Sequence, residues 1–244
     1  MQKDLFKKYL EEAFGVKAAG KVLEALECPP SVSVRLNPSK WKAGDGTDTE
    51  IAGAGVNGKV PWSEWGYFLK ERPVFTLDPL IHAGAYYVQD SSSMFVGFVF
   101  RQVLGQMLGE EPVAERRNLR VLDLCAAPGG KTTDLAASLR EMVGDRFILV
   151  SNEVMKNRAG ILADNVALWG DPNVVVTSAD PAAFARLEGF FDIIVTDVPC
   201  SGEGMFRKDE GAVEQWSEDN VELCVARQRR ILADIWPSLT PGGF

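Results

Sequence analysis

The sequence predicts an α/β fold: a doubly wound parallel sheet over residues 111–244, preceded by a small α+β domain over residues 1–110. Three observations carry this reading. From Leu119 onward, short apolar runs alternate with amphipathic stretches at the spacing of βαβ units. Val121, Leu122 and Leu124 run into Gly129-Gly130 and then into a helical stretch from Thr132. This is a strand, glycine turn and helix of the kind that brings backbone close to a ligand. Finally, Gly109–Asn118 (GEEPVAERRN) is polar, contains Pro112, and reads as the connector between the two parts.

Taken in order, Asp4–Phe14 places Phe6, Leu10 and Phe14 at helical spacing. Lys17–Glu27 repeats the pattern with Val22, Leu23 and Leu26, until Pro29-Pro30 stops it. Ser31–Leu36 alternates as a strand and ends at Asn37-Pro38. Residues 40–66 suggest short strands and turns, with Trp41, Trp62 and Trp65 as core rather than base-stacking platforms. Ser91–Leu108 is a mostly apolar helix. Beyond the connector come strands at Leu119–Leu124, Arg146–Ser151, Asn173–Val176 and Phe191–Thr196, with helices at Thr132–Met142 and Lys156–Leu168. A last helix spans Glu218–Trp236, and Thr240-Pro241-Gly242-Gly243 is a turn.

The bulk numbers narrow the function. Hydrophobic residues make up 46% and charged residues 25% of the 244, an ordinary globular composition. No apolar run approaches the roughly eighteen residues of a membrane span, and Met1–Leu10 lacks the apolar core of a secretory signal. Cysteines 28, 125, 200 and 224 have no C-x-x-C spacing and His82 is the lone histidine, so no metal site is expected. The expectation is a cytoplasmic monomer with reduced thiols and no membrane partner. Net charge is −8; residues 1–110 carry 12 basic and 13 acidic side chains, residues 111–244 carry 14 and 21. Nucleic-acid contact must therefore use local patches such as Arg207-Lys208 or Arg227-Arg229-Arg230, or the nearly neutral first half.

The glycine corner fits neither of two common phosphate-binding patterns. A P-loop needs G-x-x-x-x-G-K-[ST]; Gly130-Lys131-Thr132 matches its end, but Cys125 stands at the first glycine and Pro128 removes an amide. The G-x-G-x-x-G dinucleotide pattern is also missing. Instead four carboxylates, Asp123, Glu153, Asp180 and Asp197, fall at the carboxyl ends of four successive strands, the edge where open α/β sheets bind ligands. Each alone could be a solvated strand-end acid or a helix N-cap. Together with Gly129-Gly130 they suit an adenosine ligand without phosphates, with Glu153 on ribose hydroxyls and Asp180 on the adenine amino group. S-adenosylmethionine is the obvious candidate.

The fourth strand runs into Asp197-Val198-Pro199-Cys200-Ser201-Gly202-Glu203-Gly204, which puts a cysteine on a loop at the ligand edge. Cysteine suits pyrimidine chemistry. Carbon-5 of cytosine is a poor nucleophile until a thiolate adds to carbon-6, and a base must later remove the carbon-5 proton. The Asn/Asp-Pro-Pro-Tyr loop of amino-group methyltransferases is absent.

At this point the chain resembles a family. Asp123–Thr132, Asn152-Glu153, Asp180 and Asp197–Asp209 (DVPCSGEGMFRKD) are similar to motifs of the Sun-family RNA cytosine-5 methyltransferases, above all those acting on bacterial small-subunit (16S) ribosomal RNA. Ser33–Pro38 and His82–Gln89 resemble motifs of that family's N-terminal half, and Gln228–Leu232 and Pro241–Gly243 its later helix and turn. The resemblance implies a class I, Rossmann-like S-adenosylmethionine-dependent sheet, with residues 1–110 helping to position RNA. It further implies that Cys125, Ala126, Ala127, Pro128, Gly129, Gly130 and Lys131 wrap the methionine end of the cofactor. Glu153 would hold ribose, Asp180 adenine, and Asp197 would sit beside cofactor and target cytosine with Lys131 supporting it. Cys200 would assist breakdown of the covalent adduct.

The family's attacking thiol sits in a Thr-Cys pair on the strand after the Pro-Gly-Gly turn, and this sequence ends at Phe244, one residue past that turn. The expectation is the front part of a longer enzyme whose sheet lacks its last strands, binding S-adenosylmethionine weakly and methylating nothing alone. Two alternatives stay open: attack by Cys200, as in DNA cytosine-5 methyltransferases, or a non-catalytic cofactor- or RNA-binding protein.

Overall fold

The computed structural model describes residues 2–41, 50–109 and 117–244. Most of the expected connector and part of the 40–66 stretch lie outside the described residues. The chain forms two compact units, one of residues 31–197 with 233–244 and one of residues 1–30 with 198–232.

In the larger unit, β1 (Val32–Leu36), β2 (Glu50–Ile51), β3 (Ala54–Lys59), β4 (Gly66–Leu69) and β5 (Tyr86–Val88) form an antiparallel sheet in the order β2-β3-β4-β1-β5. Val34, Leu36, Tyr67 and Leu69 bury a shared core, against which Trp41 and Trp65 pack. Trp62 departs from that expectation: its indole donates to Ser91 O and its ring meets Phe95 edge-on. β5 was not expected as a strand. Its three residues extend because β1 offers a free edge, Arg35 facing Tyr87. The short helix α3 (Pro79–His82) starts at Asp78, whose carboxylate accepts from Leu80 N at 3.0 Å with Pro79 preset for the first turn. α4 (Ser91–Leu108) follows.

The parallel sheet contains β6 (Leu119–Asp123), β7 (Phe147–Asn152), β8 (Val174–Thr177) and β9 (Ile193–Val195) in the order β8-β7-β6-β9. Helices α5 (Gly130–Val143), α6 (Lys156–Trp169) and the single turn α7 (Pro181–Phe184) connect them. Val121, Leu149 and Ile193 meet Leu135, Leu139, Phe100 and Leu104 in one apolar core. α5 begins two residues before the expected Thr132, because Gly129 takes φ +112° and turns the chain directly into the helix. β9 is shorter than the expected Phe191–Thr196; Phe191 instead bridges Leu239, and Ile194 N donates to Phe244 O.

The two sheets of this unit are bonded together. Asn37 Nδ2 donates to Gly84 O (3.0 Å) and Trp169 O (2.9 Å), and Lys40 Nζ to Ala83 O and Leu168 O. Gly84, at φ +65°, lies so close that a Cβ would stand 1.9 Å from Leu168 O. Arg35, 1% exposed, reaches from β1 to the first turn of α5.

In the smaller unit, α1 (Gln2–Phe14) packs on α2 (Val16–Leu26) and on α8 (Glu210–Gln215), α8 packs on a 3-10 turn (Glu203–Met205), and Tyr9 of α1 reaches Glu218 at the start of α9 (Glu218–Ile235). Phe6 meets Phe206 and Trp216 edge-on at 5.0 and 5.7 Å, and Arg207 donates to Cys28 O and Pro29 O.

Candidate active site

Because all four strands of the parallel sheet point the same way, their carboxyl ends share one edge. Asp123 closes β6, Glu153 follows β7 directly, Asp180 comes three residues after β8, and Asp197 two after β9. The four carboxylates singled out in the sequence thus lie along that edge.

Asp123 is fully buried, and one oxygen accepts from Thr132 Oγ1 at 2.7 Å. The other is buried without a hydrogen-bond partner among the described residues. Burial pushes its pKa up to about 6, with the Thr132 hydroxyl and Lys131 opposing and Asp197 adding to the rise. Lys131 Nζ stands 2.6 Å from Asp197 Oδ2; the lysine is mostly covered and the carboxylate 57% exposed. The resemblance implied this pairing, and the helix start at Gly130 produces it by aiming residue 131 at the end of β9.

Cys125 sits half-buried in this acidic surround. Burial first, then Asp123, Glu153 and Asp197, push its thiol up to about 11, with Arg158 opposing. A thiol so held stays protonated and is no nucleophile at neutral pH. The turn from Ala126 to Gly129 is closed by Gly129 N donating to Ala126 O (2.8 Å). Behind it, Asn165 Nδ2 donates to Pro128 O at 2.8 Å and Arg158 to Ala127 O at 2.9 Å. Tyr87 of β5 and Gln89, just past its end, back Gly130 closely: a Cβ there would lie 3.2 Å from Tyr87 Cε1.

Glu153 is 4% exposed; Oε1 accepts from Met155 N (3.0 Å) and Oε2 lies 3.3 Å from Arg158 Nη1. Asp180 is exposed and caps α7, accepting from Ala182 N at 3.0 Å. The N-cap alternative is therefore realised at Asp180, which leaves its other carboxylate oxygen outside the cap. Asn152, quoted in the sequence motif without a role, joins these strand ends. Its amide donates to Leu124 O and Ala179 O, and its oxygen accepts from Thr177 Oγ1 and Ala179 N.

Cys200 is exposed and belongs to the smaller unit. There Gln228 Nε2 donates to Pro199 O (2.9 Å), while Ser201 Oγ and Trp216 Nε1 both donate to Glu203 Oε1, at 2.5 and 2.8 Å. Sequence reasoning assigned no role to Glu203, Trp216 or Gln228. The Glu203 position inside the Cys-Ser-Gly-Glu-Gly loop was its only signal. Among the described residues no cluster of three or more His, Cys, Asp or Glu side chains could hold a metal, and no helix is long and apolar enough to cross a membrane.

The donor set fits the adenosine ligand read from the sequence. A buried carboxylate oxygen lacks a partner, two further carboxylates flank it on the same edge, and the backbone turns tightly through a positive-φ glycine.

Comparison with known proteins agrees with this geometry. A family model described as 16S rRNA methyltransferase RsmB/F matches residues 111–244, and one for the N-terminal domain of 16S rRNA methyltransferase RsmF matches residues 3–91. The ribosomal RNA small subunit methyltransferase F of Shewanella loihica is 33% identical over 218 residues, covering 88% of this chain and 42% of the relative. This chain therefore spans about two fifths of that relative's length. Among solved structures, a methyltransferase homolog protein from Pyrococcus horikoshii matches with TM-score 0.73 at 25% identity over 98% of this chain and 70% of that one. NSun6 from Pyrococcus horikoshii with SFG matches with TM-score 0.73 at 16% identity, over 97% and 80%, which speaks for the fold alone.

Proposed function

Since the chain belongs to the 16S rRNA methyltransferase RsmB/F family, we propose that it serves the transfer of a methyl group from S-adenosylmethionine to carbon-5 of a cytosine in 16S ribosomal RNA. The observation that carries the reading is the Lys131–Asp197 pair at 2.6 Å on the edge that also holds buried Asp123 and Glu153. S-adenosylmethionine, when bound, supplies a methyl group on an electrophilic sulfonium. Residues 125–131 wrap its methionine end, Glu153 accepts from ribose hydroxyls, and the free oxygen of Asp180 accepts from the adenine amino group.

Asp197, exposed and paired with Lys131, is placed to accept hydrogen bonds from a cytosine, including from a proton at nitrogen-3. The pyrimidine chemistry needs a thiolate at carbon-6. Burial and the neighbouring carboxylates keep Cys125 protonated and argue against it, while exposed Cys200 lies on the loop that follows β9. In the family's division of labour Cys200 assists breakdown of the adduct. Residues 1–110 help to position the RNA, a naked transcript or a small ribosomal subunit, and the protein works as a cytoplasmic monomer.

Titration calorimetry with S-adenosylmethionine tests the cofactor half of this reading. Binding is expected, weakened at least tenfold by Glu153→Ala or Asp180→Ala. No binding by the native chain overturns it. Incubation with labelled S-adenosylmethionine and 16S RNA tests the rest. Transfer abolished by Cys200→Ser makes Cys200 the attacking thiol, whereas methyl found anywhere but carbon-5 of cytosine sinks the proposed chemistry.

A further inference from the structure

The smaller unit joins the first 30 residues to a stretch that begins at Val198. Its interior is a chain of contacts running from α1 to the cysteine loop. Phe6 lies edge-on to Trp216 at 5.7 Å and Tyr9 does so at 6.2 Å; the Tyr9 hydroxyl donates to Glu218. Trp216 is 4% exposed, and its indole N–H donates to Glu203 Oε1, the oxygen that also accepts from Ser201 Oγ. Ser201 is the neighbour of Cys200. From the other side, Gln228 holds Pro199 O. Residue 199 is thus tied to α9, and residues 201 and 203 to each other and, through Trp216, to the link between α8 and α9.

Burial pushes the Glu203 carboxyl up, but the Ser201 and Trp216 hydrogen bonds, with one from the Glu203 backbone, together hold it below the ordinary range. An ionised carboxylate accepting two side-chain donors is a firm anchor, because charge-assisted bonds are roughly twice as strong as neutral ones. The aromatic contacts fix the indole's orientation through ring geometry. A loop with three glycine or proline positions, Pro199, Gly202 and Gly204, has few contacts of its own to define one conformation.

We propose that Trp216 and Glu203 are positioning residues for Cys200, and that the N-terminal helix α1 acts through Phe6 as the strut that sets them. The N-terminal helices would then serve the catalytic loop as well as RNA. This rests on Cys200 having a part in the chemistry. The test reads the loop itself, so it stands or falls separately from the transfer experiment.

The test uses Trp216→Phe, which keeps a ring against Phe6 and removes the donor to Glu203, together with Phe6→Ala, Glu203→Ala and Glu203→Gln. Two quantities are read in the whole chain: amide hydrogen exchange over residues 198–206, and the rate of Cys200 alkylation by iodoacetamide, by peptide mapping. Expected for Trp216→Phe and Glu203→Ala are exchange at least tenfold faster in 198–206 and alkylation at least threefold faster. A freed loop offers its thiol from more directions than a tethered one. Protection over 119–152 and S-adenosylmethionine affinity stay as in the native chain. Glu203→Gln, whose amide oxygen still accepts from both donors, restores most of the native behaviour, and Phe6→Ala gives the same local pattern as Trp216→Phe. Unchanged exchange and alkylation in Trp216→Phe and Glu203→Ala overturn the proposal. So does loss of protection spread equally over 119–152, which would mark these residues as general supports of the fold.

Discussion

Lys131 Nζ stands 2.6 Å from Asp197 Oδ2, so the first turn of α5 supplies a cation to the end of β9. The same lysine favours the ionised form of Asp123, together with the Thr132 hydroxyl, against burial and the Asp197 charge. Burial wins, and Asp123 titrates at about 6 in the folded chain against 3.8 for an unperturbed aspartate. A folded state that holds a proton more tightly than the unfolded one is favoured at low pH. This contribution is fully present below pH 3.8 and is lost as pH rises through 6, a loss of about 3 kcal/mol. Asp123→Asn removes the titration. Its stability relative to the native chain is expected to rise by most of that amount between pH 4 and pH 7.5, measured by urea unfolding across the range. A difference independent of pH would contradict the buried, partnerless carboxylate. The same variant should bind S-adenosylmethionine more weakly, a stability gain set against function.

Lys131→Met makes the converse case. Without the lysine's charge, the forces raising the Asp123 pKa act less opposed, and its midpoint should move above 6. Carboxyl carbon chemical shifts of Asp123, followed against pH in both chains, give the two midpoints directly. An unchanged midpoint would mean that the lysine's charge is screened from β6 and acts on Asp197 alone.

Much of the parallel sheet was legible because βαβ units repeat a pattern. The apolar runs of β6, β7 and β8 and the helices between them fall within two residues of their expected limits. The carboxylates at strand ends followed from that register. What could not be read depends on pairings remote in sequence. Nothing in the periodicity of α1 says that Phe6 packs on Trp216, 210 positions later, so the union of residues 1–30 with 198–232 stayed hidden. β5 is three residues long and owes its extension to β1. By contrast α7 carries a readable sign, which goes beyond the N-cap alternative left open at Asp180. Asp180-Pro181 repeats the Asp78-Pro79 arrangement, an N-cap acid followed by a proline suited to the first turn.

Arg35 is the buried cation that joins the two sheets of the larger unit. Its guanidinium donates to Gln89 Oε1 (2.8 Å), Gly130 O (3.0 Å) and Thr133 Oγ1 (2.6 Å), lies 3.7 Å from Asp134 and stacks 4.5 Å over Trp169. Arg35→Ala strips partners from three polar groups and leaves Asp134 buried with its main counter-charge gone. A loss of roughly 3–5 kcal/mol is expected in urea unfolding. Arg35→Lys keeps the charge but lacks the planar fork, and should recover only part of it. A loss below 1 kcal/mol for the alanine variant would show that the two sheets hold together without this contact.

Gly84 gives a sharper steric test. At φ +65°, with a virtual Cβ 1.9 Å from Leu168 O, alanine must displace the backbone at the end of α6. It would also disturb the Asn37 and Lys40 hydrogen bonds that meet there. Gly84→Ala is expected to cost at least about 3 kcal/mol, beyond what positive φ alone imposes. Gly170→Ala, in the left-handed helical region with nothing nearer its Cβ than Lys40 Nζ at 3.9 Å, should lose only the conformational share, about 1 kcal/mol. Equal losses in thermal melts would mean that strain, not the close approach to α6, dominates at residue 84.

The cysteines separate by environment. Burial and three carboxylates push the Cys125 thiol up to about 11. At pH 7.5 it holds roughly two orders of magnitude less thiolate than a free cysteine. Cys200 and Cys28 are exposed, and Cys224 is buried. Iodoacetamide at pH 7.5 should therefore label Cys28 and Cys200 first, with Cys125 at least about 100-fold slower and still climbing in rate up to pH 10. Asp123→Asn removes one of the charges that hold the proton on Cys125, so its labelling should speed up. Labelling of Cys125 as fast as Cys200 in the native chain would mean that the edge is less acidic and more open than this arrangement of carboxylates requires. Cys125 would then return as a candidate nucleophile.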